Sequence, residues 1–294
     1  MIPLKYEGDV FRPPSEAGSL ILQATIGCSH NRCTFCAMYK RKKFRIRSLK
    51  EIKRDIALVS GYMPHARRVF LADGNALAMQ TVDLLQVLQE LTRAFPALDR
   101  VSVYGNPQDL LHKSVDELKE LGSNRLSMIY LGVESGSTAV LESVKKGVSP
   151  RQIAEGALKV KEADIALSVT VINGLAGVEG SEEHARSSAR LLNEIDPEYL
   201  GLLSLMTVPG TTAYRIFNEG RLTALSPWQL LDEIRMIVEN LELTSCVFRA
   251  NHASNYLPLK ATLSRDQEAL LAVLDNIIKN KAPGSLKNEY MRGL

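Results

Sequence analysis

From residue 20 onward, short apolar runs alternate with longer amphipathic segments. Residues 20–26, 69–72, 101–104, 126–133, 166–172 and 200–207 are nearly continuous in apolar and β-branched residues. Strands buried on both faces read this way. The segments between them, near 48–60, 79–94, 114–121, 137–146, 150–163 and 181–195, carry helical periodicity. In 79–94, Leu84, Leu88 and Leu91 recur at three- and four-residue spacing and Phe95 follows, with Gln86, Gln89 and Glu90 between them. Ser48 and Ser149-Pro150 stand where N-terminal caps belong.

Six β-α repeats predict an α/β fold with a parallel sheet covered by helices. With right-handed crossovers and two units fewer than a closed barrel, the expected architecture is a partial (β/α)6 TIM-like barrel. After about residue 210 the rhythm changes. Helices predicted at 226–241 and 265–280 flank a polar stretch, Arg249-Ala250-Asn251-His252-Ala253-Ser254-Asn255-Tyr256. The predicted organisation is a lead-in over 1–17, a barrel core over 18–212 and a helical C-terminal extension over 213–294 that closes the barrel. Functional groups of parallel α/β folds collect at the C-terminal ends of strands. Polar residues and glycines stand at every such end here, among them Asp73-Gly74-Asn75, Gly105-Asn106-Pro107 and Glu134-Ser135-Gly136.

Composition narrows the class. Forty-five per cent apolar and 23% charged residues, with a formal charge of +3, describe an ordinary globular protein. The apolar-leaning stretch 165–178 is interrupted by polar residues and too short to span a bilayer, so no membrane association is expected. Residues 1–7 lack an apolar signal core, and four cysteines with three on one loop make no disulfide framework. The expected location is a reducing cytoplasm.

Those three cysteines carry the chemistry. Cys28, Cys33 and Cys36 follow the first strand with the spacing C-x4-C-x2-C, and Cys246 stands far downstream. Three thiolates on one loop can hold three corners of an iron–sulfur cube and leave its fourth iron open to an exogenous molecule. Two other readings stand beside this one: zinc held with His30, His252 or Cys246, and a thioredoxin-like pair of Cys33 and Cys36. Six basic residues in the eight of 40–47 suit an acidic electron donor, an anionic substrate or a solvated loop. With aromatics at 6% and no appended nucleic-acid module visible, a nucleic-acid partner is not expected.

Taken together, the cysteine loop and the strand ends over roughly residues 18 to 210 resemble the radical S-adenosylmethionine (SAM) superfamily. The resemblance implies a [4Fe–4S] cluster held by Cys28, Cys33 and Cys36, with SAM chelating the open iron. It implies reductive cleavage of SAM to a 5′-deoxyadenosyl radical that takes hydrogen from a small organic substrate. Matched positions imply SAM contacts at Phe35, at the turn Asp73, Gly74 and Asn75, at Glu134 and Ser135, at Lys146, at Thr170 and Asn173, and at Val208. The segment GVESG followed by VLESVKKGV most resembles the branch holding oxygen-independent coproporphyrinogen oxidases and Elp3- and MiaB-like enzymes. Two departures stand out. The loop has one residue more than the family's usual C-x3-C-x2-C, and the second-strand turn reads Asp-Gly-Asn instead of Gly-Gly-Glu. An acidic donor such as flavodoxin or ferredoxin is the expected redox partner. A non-catalytic iron–sulfur or zinc carrier and an RNA-modifying radical enzyme are the alternatives.

Overall fold

The structure is a computed structural model that describes residues 4–282 and 284–293. The first three residues of the predicted lead-in, and Pro283 and Leu294 of the predicted extension, lie outside the described residues. The chain forms two compact units. One comprises residues up to 31, 38–131 and 155–167; the other comprises 32–37, 132–154 and 168 onward.

The first unit runs β1 (Leu20–Gln23), β2 (Thr25–Ile26), β3 (Arg45–Ile46), α1 (Leu49–Ser60), β4 (Arg68–Ala72), α2 (Thr81–Ala94), β5 (Arg100–Gly105), α3 (Pro107–Leu111) and α4 (Val115–Ser123). Strand β6 (Leu126–Glu134) starts in this unit and ends in the other. Strands β1, β4, β5 and β6 pair in parallel, with Leu20 opposite Val69, Val69 opposite Val101, and Ser102 opposite Met128. Val69, Phe70, Leu71, Val101, Val103 and Ile129 have no exposed surface, which explains the unbroken apolar runs. The run predicted over 20–26 is broken after Gln23. Thr25 and Ile26 leave the main sheet to pair antiparallel with Ile46 and Arg45. Ser48 caps α1 reciprocally with Glu51, whose carboxyl is held down at about 2, chiefly by the Ser48 backbone N–H.

The second unit contains α5 (Thr138–Ser143), the start of α6 (Pro150–Glu162), most of β7 (Ala166–Asn173), α7 (Gly177–Ile195), β8 (Tyr199–Ser204), α8 (Thr212–Asn218), α9 (Pro227–Glu239), β9 (Cys246–Ala250), β10 (Leu259–Leu263) and α10 (Gln267–Asn280). Strands β7, β8 and β9 are parallel and β10 is antiparallel to β9. Helix α9 packs between α7 and α10. The two helices predicted for the C-terminal region are present. The pattern missed β9 and β10, which are five residues each and alternate buried with more exposed positions, so they lack the continuous apolar run of the other strands.

Candidate active site

In the first unit the site is built around Cys28. Gly27 precedes it with φ +72°, in the left-handed region where glycine is favoured. Its N–H donates to Asp73 Oδ2 at 3.2 Å, and its carbonyl accepts from the Gly74 N–H at 3.2 Å. The Asp-Gly-Asn turn after β4 is thereby tied to the residue that precedes Cys28. Asp73 is fully buried against Lys42 Nζ at 2.6 Å. Burial pushes its carboxyl up from the usual range, opposed by Lys42 and the Gly27 amide. Gly74 admits no side chain, because an added Cβ would lie 2.7 Å from the Tyr39 ring and 3.0 Å from the Gly27 carbonyl oxygen. Asn75 is fully buried. Its Nδ2 donates to Ser29 Oγ at 2.7 Å and to Asp109, while its Oδ1 has no partner among the described residues.

In the second unit the segment holding Cys33 and Cys36 is pinned at Thr34. The Thr34 N–H donates to the Val144 carbonyl at 2.9 Å, and its carbonyl accepts from Ala213 N–H at 3.0 Å. Phe35 packs on the apolar cluster of Val140, Val144, Leu175 and Ala176. Glu134 ends β6 with φ +66°, unusual for a residue with a side chain, and its Oε1 meets Lys146 Nζ at 2.9 Å. Two residues matched separately to SAM contacts are therefore partners of each other. Gly132 sits beneath the pair, where a Cβ would come within 2.2 Å of the Glu134 carboxylate. Thr170 is half-buried on β7, and Asn173 at its end is fully buried with neither amide atom paired among the described residues. The Val208 carbonyl accepts from both the Thr211 N–H and hydroxyl, closing the turn before α8.

Sequence reasoning did not single out the polar network beneath these turns. The Ser135 hydroxyl donates to His184 Nδ1 at 2.8 Å, and His184 Nε2–H donates to the Ile172 carbonyl at 3.1 Å. Burial holds His184 down at about 4, so it is neutral and this is its required tautomer. Glu233 on α9 accepts from the Gly174 N–H at 2.6 Å and from the Ser181 hydroxyl. Burial raises its carboxyl to about 7. Its Oε1 lies 3.8 Å from His184 Nε2, but a neutral histidine already bonded to a carbonyl makes this a contact and not an ion pair. The Gly136 N–H donates to Ser188 Oγ at 2.9 Å, with no room for a Cβ against the Ser187 carbonyl. Helices α7 and α9 thus hold the strand-end turns at 134–137 and 172–174. No local signal in the sequence announces such pairs, which are separated by 49 to 59 residues.

The polar C-terminal stretch has internal duties. Asn255 Oδ1 accepts from the Ser204 N–H and hydroxyl, and its Nδ2 donates to the Leu202 carbonyl. Arg292 donates to the Leu205 and Ser254 carbonyls and stacks on Tyr256, 4.2 Å from the ring centroid. His252 bonds Ser254, and burial lowers its pKa. Three members of the basic run are likewise internal: Lys42 with Asp73, Arg45 with Glu7 and Glu51, and Arg47 with Asp55. Lys40, Arg41 and Lys43 are exposed, the latter two beside a shallow cavity of ≈ 530 Å³.

The three cysteines are part-exposed and in no disulfide, a donor set suited to an iron–sulfur cluster. Among the described residues no group of three Cys, His, Asp or Glu side chains is gathered to hold a metal ion. Among the described residues Asn75 Oδ1 in the first unit and both Asn173 amide atoms in the second are buried without a partner, and each suits a polar group of a ligand. Among the described residues no helix is long and apolar enough to cross a membrane.

Comparison with known proteins gives the same picture. The chain is 28% identical over 216 residues to a tRNA-2-methylthio-N(6)-dimethylallyladenosine synthase of Dehalococcoides mccartyi, covering 69% of this chain and 49% of that protein. It is 23% identical over 183 residues to the heme chaperone HemW of Bacillus subtilis, covering 61% of this chain and 47% of that one. The chain spans about half the length of these curated relatives. Among solved structures, coproporphyrinogen III oxidase of Escherichia coli, a radical SAM enzyme, superposes with a TM-score of 0.59 at 16% identity, over 75% of this chain and 51% of that one. That likeness is one of fold, and it supports the expected α/β partial barrel. The tRNA-modifying relatives give no support to the expectation that nucleic acid is excluded as a partner. The family model described as Radical SAM superfamily matches residues 22–189, more than half of the chain, and the protein belongs to that superfamily.

Proposed function

We propose that Cys28, Cys33 and Cys36 hold the [4Fe–4S] cluster of this enzyme and that SAM binds against the turns at 73–75, 134–135, 170–174 and 208. The superfamily's cofactors are a [4Fe–4S] cluster and SAM. When bound, they would supply cleavage of the sulfonium, by one electron from an external donor passed through the cluster, to methionine and a 5′-deoxyadenosyl radical able to take hydrogen from an organic substrate. The observation that carries this reading is the set of three part-exposed cysteines at C-x4-C-x2-C spacing on one loop after the first strand.

Each side chain has a duty. Asn75 and Asn173 offer the amide atoms left unpaired to the polar groups of SAM. Phe35, seated on an apolar cluster, offers a ring face to adenine. Lys146 neutralises Glu134, so the pair presents no net charge of its own to the amino and carboxylate groups of SAM. Ser135 and the Gly174 backbone are positioned by His184 and Glu233. The core over 18–212 carries this machinery, and the extension over 213–294 contributes Glu233 and the Arg292–Tyr256 strap. Lys40, Arg41 and Lys43 form the docking face for an acidic one-electron donor such as flavodoxin or ferredoxin in a reducing cytoplasm. A small or medium metabolite is the substrate class.

The test is anaerobic reconstitution with iron and sulfide, reduction with dithionite, addition of SAM and assay of 5′-deoxyadenosine, with Cys33→Ala as control. Deoxyadenosine that vanishes in the control supports the reading; four irons without cleavage favours a carrier, and zinc without iron overturns it. The same exposed cations and the tRNA-named relatives favour a second reading, modification of RNA. It requires salt-sensitive tRNA binding that weakens when Lys40, Arg41 and Lys43 are neutralised.

A further inference from the structure

Asn106 occupies the N-cap position of α3, yet its side chain makes no cap hydrogen bond. Asparagine is among the preferred residues there because its carbonyl oxygen accepts from the first-turn amides. A residue that forgoes this bond is held by something else. Its Nδ2 lies 3.5 Å from Cys28 Sγ, an N–H···S distance suited to sulfur's larger radius, and 3.1 Å from Ser29 Oγ. Ser29 Oγ also receives Asn75 Nδ2 at 2.7 Å and reaches Asp109 Oδ2 at 3.4 Å. Burial pushes the Asp109 carboxyl up, while Asn75 and Ser29 hold it down. The amide is therefore not a free surface rotor. Ser29 on the cysteine loop holds it directly, and Asn75 after β4 and Asp109 of α3 hold Ser29 in turn, which leaves the amide with an N–H on the sulfur.

We infer that Asn106 tunes the cluster by donating a hydrogen bond to the Cys28 thiolate, and that Ser29, Asn75 and Asp109 fix the orientation of that donor. This rests on the proposed cluster at Cys28. A donor on a ligating sulfur draws charge from the iron–sulfur unit, and the added electron of the reduced form strengthens that bond. Hydrogen bonds to the sulfurs are among the determinants of cluster potential. Asn106 accordingly favours the reduced form, which makes the site easier for a donor to charge.

The test is the midpoint potential of the reconstituted cluster, followed by EPR during potentiometric titration, in the parent protein, Asn106→Leu and Asn106→Asp. Leucine keeps approximate size and removes the donor; aspartate keeps the shape and brings a carboxylate to the sulfur. One charge-assisted hydrogen bond that strengthens on reduction is expected to change the reduction equilibrium about tenfold, which is about 59 mV for a one-electron couple. Both variants are expected to shift to more negative potential at parental iron content, Asn106→Asp further. If Asn106→Leu does not hold its cluster, Asn106→Asp decides alone. A loaded variant with the parental potential overturns the tuning role and leaves the cluster assignment standing. A parent that takes up no iron overturns the cluster assignment, and this inference with it.

Discussion

Glu233→Gln should make the protein more stable, and by an amount that depends on pH. Glu233 is fully buried, and burial raises its carboxyl from 4.5 to about 7. A raised acid is at its best below its unfolded value. Its contribution is fully present below pH 4.5 and is lost progressively as pH rises to about 7, because the unfolded chain ionises first. Each unit of separation is worth about 1.4 kcal/mol, so the cost levels off at roughly 3 kcal/mol above neutrality. Glutamine keeps an oxygen for the Gly174 N–H and places an amide by Ser181, without a charge to desolvate. His184 gives the opposite slope: burial lowers it from 6.5 to about 4, so its contribution is present above pH 6.5 and is lost as pH falls to about 4. That slope is common to both proteins and cancels in their difference. Urea unfolding from pH 4.5 to 8 is the assay. The difference in stability should be near zero at pH 4.5 and grow to about 3 kcal/mol at pH 8. Parallel curves across this range would refute the burial account of Glu233.

Gly74→Ala places a methyl against the Tyr39 ring and the Gly27 carbonyl and should cost about 1–3 kcal/mol in chemical denaturation; a neutral result would mean the turn has room to shift. Lys42→Met strands the fully buried Asp73 carboxylate and should cost about 3 kcal/mol or more, with Asp73→Asn added on top recovering part of the loss. Ser135→Ala and His184→Ala should each destabilise by about 1–3 kcal/mol, and the double variant should cost less than the sum, a coupling read from the four denaturation curves. Neutralising Lys40, Arg41 and Lys43 together should slow reduction by an acidic protein donor at low salt while leaving dithionite reduction unchanged, as followed by stopped-flow absorbance.

Much of the frame is legible in the chain itself. Strands β4, β5 and β6 and helices α1, α2 and α6 fall within two residues of their expected bounds, because burial on both faces forces continuous apolar runs and burial on one face forces helical spacing. The start of α7 at Gly177 was not legible: Gly177-Val178-Glu179-Gly180 contains poor helix formers, and the Ala176 cap position makes no side-chain bond. In the site, Cys28, Cys33 and Cys36 stand out because their spacing is local. Glu134 and Lys146 were each visible, but not as partners.

Features that depend on neighbours in the chain can be read from the residues alone: the β-α alternation, the capped helix starts at Ser48 and Ser149, and the three-cysteine loop. Tertiary structure alone decided that Asn106 turns from its helix to Cys28, that Lys42 leaves the basic run for Asp73, and that His184 and Glu233 hold turns some fifty residues away. The physical reason is range. Periodicity and capping act over a few residues, whereas a buried polar group must find its partner wherever the fold brings one, and nothing in the intervening chain records that choice.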